Sequence, residues 1–88
     1  MKELTPKELE EWRKKLAIRC AKPTNRITMY RTFGGYIAAL TDNGEDILDG
    51  GAPCQSQEAA TTLLMARVYG AFGVMLSPER FSVQEKIR

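Results

Sequence analysis

The sequence predicts a small α+β domain, a three-stranded antiparallel meander with two helices packed on one face in the order α-β-β-β-α. Three observations carry this expectation. A capping box opens an amphipathic stretch at the N-terminus. Two glycine-containing turns divide the middle of the chain into alternating, β-rich runs. A serine N-cap then opens a second, more apolar helix. With 88 residues there is room for one core, so residues 1–88 read as a single domain. A chain this short buries only roughly 60–65% of the surface it exposes when unfolded, so its stability margin is expected to be thin, which leaves room for self-association or partner binding.

The first helix has the clearest start. Thr5 stands at the N-cap, Pro6 at the first helical position and Glu8 at the third, and Leu4 and Leu9 are placed for a hydrophobic staple. Leu9, Trp12, Leu16 and Cys20 recur at spacings of three and four, which makes one narrow apolar stripe. Glu10 with Lys14, and Glu11 with Lys15, are favourable pairs on the solvated side. Pro23 ends the helix by disfavouring helical geometry at Lys22.

Residues 26–33, 36–41 and 45–49 form the three strands, joined by turns at Gly34-Gly35 and Asn43-Gly44. Two-residue turns place Phe33 opposite Tyr36, Met29 opposite Leu40, and Leu40 opposite Ile47. Those residues share a core face with Ile27 and Ala38, on which Arg31 intrudes. Tyr30, Ile37, Ala39 and Leu48 fall on the other face, among Thr28, Thr32 and Thr41.

Gly50 to Pro53 is a loop, Ser56 the second N-cap, and the second helix runs from about Gln57 to Gly70 or beyond. Leu64, Val68, Ala71, Phe72 and Met75 lie on its inner side, while Ala66, Gly70 and Gly73 make a small-residue strip. Ser77-Pro78-Glu79 resembles a further helix start, so residues 78–88 are expected to be a flexible tail or a short helix.

Composition narrows the function. There is no histidine, which removes the commonest general base and metal ligand, and no glycine-rich phosphate loop is present. No catalytic residue, metal site or cofactor is therefore expected. Cys20 and Cys54 read as free thiols, and the charged N-terminus lacks a secretory pattern, so the expected location is the cytoplasm. The least polar stretch, residues 59–76, carries Arg67 and a polar side, so no membrane association is expected. Cys54, just before a helix N-terminus, is a candidate reactive thiol without an acid or base partner. Glu45, Asp46 and Asp49 read as a charged edge strand that resists aggregation.

Two binding surfaces follow. Tyr30, Ile37 and Leu48 form an apolar stripe rimmed by threonines, a candidate protein interface unless Phe81, Val83 and Ile87 of the tail fold back over it. Lys14, Lys15, Arg19, Arg26 and Arg31 are candidate phosphate contacts, although the net charge is only +2. Over residues 5–73, the α-β-β-β-α order with a small-residue loop before the last helix resembles the topology of double-stranded RNA-binding domains. That resemblance implies nucleic-acid contact by the last helix. In the family this helix opens with a lysine pair, whereas here Gln57 and Glu58 stand in that place. The leading expectation is a small non-enzymatic protein-interaction module of the bacterial or phage accessory or inhibitor kind. Its partner is an unidentified protein or a second copy in a homodimer, and nucleic-acid binding is the alternative.

Overall fold

The structure is a computed structural model that describes residues 3–76 and 83–87. Its elements are α1 (Pro6–Cys20), β1 (Arg26–Thr32), β2 (Gly35–Asp42), β3 (Glu45–Asp49), α2 (Gln57–Phe72) and β4 (Val83–Ile87). The α-β-β-β-α order is present, and a fourth strand completes a mixed sheet in the order β3-β2-β1-β4. β4 lies parallel to β1, with Ile27 opposite Val83 and Arg31 opposite Ile87.

This fourth strand corrects the expectation of a helical or loose C-terminal tail. Residues 83–87 extend the sheet edge and do not fold back across a sheet face. The expected helix start at Ser77-Pro78-Glu79, and Phe81 with it, lies outside the described residues. Gln84, Glu85 and Lys86 have little intrinsic β preference, so a local reading does not find the strand. Its partner, β1, is more than fifty residues away in the chain.

α1 starts as the sequence indicates. Thr5 Oγ1 accepts from the Glu8 amide at 3.2 Å, and Glu8 Oε1 accepts from the Thr5 amide at 3.4 Å. Such a cap is worth about 1 kcal/mol. At the far end the Asn25 side-chain amide donates to the Arg19 carbonyl at 2.6 Å, while Asn25 Oδ1 is buried without a hydrogen-bond partner among the described residues. Ser56 caps α2 by accepting from the Ala59 amide, and Gly73 ends it in the left-handed conformation.

The meander keeps the expected alternation but not the expected register. The first turn is Phe33-Gly34, with Thr32 opposite Gly35, so Met29 faces Ala38 and Ile27 faces Leu40. The displacement is two residues along β2, an even number, and each side chain of β1 and β2 therefore keeps its face. Gly35 belongs to β2 because the loop before α2 closes on it. Tyr36 and Cys54 exchange two backbone hydrogen bonds of 2.8 Å, and a Cβ on Gly35 would run into the Cys54 carbonyl oxygen. The second turn is the expected Asn43-Gly44 pair, both at positive φ.

Ile27, Met29, Ala38 and Leu40 of the sheet meet Ala60, Leu64 and Val68 of α2, with Cys20 of α1 and Leu76 at the margins. Full burial of one such Leu or Val side chain stabilises by roughly 1.5–3 kcal/mol. The helices thus cover one sheet face, and α2 supplies most of the cover.

Candidate protein-interaction surface

The second sheet face is where sequence reasoning placed the interface, and the structure assembles only part of it. Tyr30 and Ile37 are directly opposite one another on β1 and β2, and both are half-buried. The Tyr30 hydroxyl donates to Asp46 Oδ1 at 2.8 Å, so its side chain reaches from β1 across β2 to β3. Thr28, Ala39 and Thr41 on this face are buried, and the two threonine hydroxyls are 3.0 Å apart. Leu48 is not with them. A bulge between β2 and β3 puts Leu48 opposite Leu40, where it packs with Ile47 against the helix-covered core. The extra residue changes the face of every later side chain in β3, and nothing in a five-residue run announces it.

The basic residues are not gathered on one surface either. Lys14 pairs with Glu10 at 3.7 Å, Arg19 with Glu45 at 3.7 Å, and Arg31 with Glu85 at 4.0 Å. The Arg31 guanidinium also sits 5.9 Å from the centre of the Tyr36 ring. Lys15 lies on exposed α1, and Arg26 and Arg31, five positions apart on one strand, point to opposite sheet faces. Most of these charges are thus tied to a carboxylate, and the set does not form a phosphate-tracking stripe.

The acidic residues of β3 are tied down in the same way. Glu45 is held by Arg19, Asp46 by Tyr30, and Asp49 by Arg67 at 3.5 Å and the Gly51 amide at 2.8 Å. Among the described residues no group of histidine, cysteine, aspartate and glutamate side chains is placed to hold a metal ion. Both thiols are free, and burial pushes the Cys20 thiol above its ordinary pKa, partly offset by the neighbouring Arg19 charge. Cys54 is half-buried, and its Sγ lies 3.7 Å from the Ala52 carbonyl.

A further open surface lies between the two helices. The N-terminal half of α1 projects past the core and leaves an open groove of about 650 Å³ against the C-terminal end of α2. Leu9, Arg13 and Ala17 line one wall, Tyr69 and Phe72 the other. Leu9 is 45% exposed and Tyr69 58%, high values for residues on the inward side of a helix pair. Trp12, one turn from Leu9, is 50% exposed. The Arg13 guanidinium donates to the Ala71 carbonyl at 2.7 Å, a cation on the negative end of the α2 dipole, and this holds the groove's two walls together. Gly70 and Gly73 line the groove, and a Cβ on either would meet nothing within 4 Å. Among the described residues nothing packs on Gly70 and Gly73 of the small-residue strip, and Ala66 is exposed further along the helix.

The spacing of Leu9 and Trp12 predicts one narrow apolar stripe along α1, and it does not single out Tyr69. The available signal was a mismatch: Tyr69 follows Val68 directly, so it cannot share the inner face of Leu64 and Val68.

The fold and this surface define a small α+β domain with an open, partly apolar groove between its helices. No family model matches the chain, and neither the curated proteins nor the solved structures contain a match to it. Among the described residues no helix is long and apolar enough to cross a membrane.

Proposed function

We propose that this protein acts without catalysis, by binding another protein through the groove between α1 and α2. The carrying observation is that Leu9 and Tyr69, on facing walls of the groove, are both half-exposed, with half-exposed Trp12 one turn from Leu9. Aromatic side chains in a groove rimmed by charge have the composition of interface hot spots, and Glu10, Arg13 and Lys14 supply the rim. Tyr30 and Ile37 form a smaller, second candidate contact on the opposite side. The reading includes an accessory or inhibitor role in the cytoplasm, where the free thiols Cys20 and Cys54 would persist.

The nucleic-acid reading through Lys14, Lys15, Arg19, Arg26 and Arg31 is the weaker of the two, because Arg26 and Arg31 point to opposite sheet faces and Lys14, Arg19 and Arg31 are paired with carboxylates of the chain. The two readings separate in one experiment. The full chain, its Leu9→Gln/Tyr69→Gln variant and its Lys14→Gln/Lys15→Gln variant are used as bait under identical salt. A protein held by the wild type and the lysine variant, but lost from the groove variant, supports the proposal. Equal retention by the groove variant defeats it. Salt-sensitive nucleic acid lost only from the lysine variant establishes the alternative.

A further inference from the structure

β4 is fastened unlike any other strand. It sits at the sheet edge, parallel to β1, and the side chains of Gln84, Glu85, Lys86 and Ile87 are all exposed. None of these four belongs to the core cluster or packs against it. The side-chain links to β4 include the Arg31–Glu85 pair at 4.0 Å and the Gln57–Glu85 hydrogen bond at 3.4 Å. Both are exposed, and exposed links of this kind contribute little. The chain just before it is anchored differently, because Leu76 is buried in the core. Residues 77–82 join that anchor to β4. Parallel edge pairing in which four consecutive side chains stay exposed marks the part of a domain that opens first, at a small fraction of the global unfolding free energy.

We propose that two copies of this chain exchange β4, each placing its residues 83–87 against β1 of the other. The occupant is identified by the fold itself. The edge of β1 already accepts this strand in a defined parallel register, and a second copy carries the identical segment. Exchange forms the same ladder in trans that it breaks in cis, so its net cost is mainly that of association. Direct pairing of two β4 edges is the poorer route to a dimer. Antiparallel registers centred on Glu85 or Lys86 set like charges opposite one another. This inference is independent of the groove proposed above.

The test uses the full chain, refolded from denaturant at millimolar concentration and then diluted. The expected result by size-exclusion chromatography with light scattering is a species of twice the 9.9 kDa monomer mass, which reverts slowly on dilution. In dimers mixed from isotope-labelled and unlabelled chains, β1-to-β4 contacts should then appear between chains in filtered nuclear Overhauser spectra. The Gln84→Pro/Glu85→Pro variant removes whichever of two adjacent amides points at β1, and it should remain monomeric with its core intact. A chain that is monomeric at every concentration after refolding overturns the proposal. So does a dimer whose β1-to-β4 contacts are all intramolecular, or one that survives the double proline substitution. Loss of dimer in the groove variant Leu9→Gln/Tyr69→Gln would likewise assign the interface to the groove.

Discussion

α1 and α2 are nearly equal in length, 15 and 16 residues, yet the molecule uses them in opposite ways. α1 has the stronger local signals: a complete capping box, proline at the first position and a regular apolar stripe. It nevertheless buries one side chain fully, Cys20 at its last turn. α2 has a simple serine cap and a glycine inside its last turn, and it buries Ala60, Leu64 and Val68 against β1 and β2. Local chemistry decides whether a helix forms and where it starts, but the amount it buries depends on what the sheet places beneath it. α2 crosses the centre of the sheet. The first half of α1 overhangs it, and apolar residues made for a core there become the wall of a groove.

The contrast can be broken most sharply at its buried end. Leu64→Ala should cost about 2–5 kcal/mol by denaturant unfolding, since it opens a cavity at the centre of the core. For a domain of this size that is a large share of a total stability of roughly 4–13 kcal/mol. If the loss were below about 1 kcal/mol, α2 would not be the helix that holds the sheet. Next comes the cap of α1. Thr5→Ala should cost about 1 kcal/mol and lower amide protection over the first turn alone. A uniform loss of protection across the sheet would mean that α1 is more deeply integrated than its exposure indicates.

Smaller still is the expected cost of Leu9→Gln/Tyr69→Gln, within about 1 kcal/mol, because both side chains are half-exposed in the folded state. Stability nearly unchanged with binding lost is the signature of a contact surface. A loss near that of Leu64→Ala would make the groove part of the core.

The last comparison concerns the buried end of α1 and depends on pH. Burial raises the Cys20 pKa, so the folded state keeps the thiol proton at a pH where the unfolded chain has lost it. The resulting stabilisation is complete below the ordinary thiol pKa and declines as pH rises through the alkaline range towards the folded value. The stability gap between the wild type and Cys20→Ala should therefore narrow between pH 7 and pH 10 in parallel denaturant titrations. A constant gap would show that Cys20 is not desolvated. Iodoacetamide should correspondingly modify half-buried Cys54 in the native protein and spare Cys20 until the chain unfolds.

Much of the candidate surface escaped a reading of the residues alone. Tyr30 and Ile37 were legible as neighbours because strand alternation survives an even shift of register. Leu48 was not, because a single bulge residue returns it to the core face. Leu9 and Trp12 carry the spacing of core residues. Nothing local reveals that both stay half-exposed in the folded chain.

The amino-acid sequence by itself determined the start of α1, the Asn43-Gly44 hairpin, the cap of α2 and the inward faces of β1 and β2. Each of these depends on residues within a few positions of one another, so short-range hydrogen bonding and side-chain alternation suffice. Tertiary structure alone decided three other features. The contact of Cys54 with Tyr36 moved the first turn, the pairing of β2 with β3 set the bulge, and the distant edge of β1 made residues 83–87 a strand. The first and last depend on backbone groups far apart in the chain, whose hydrogen bonds are satisfied only once the sheet has assembled, while the bulge lies within one hairpin and is set by the packing of Ile47 and Leu48 on the core.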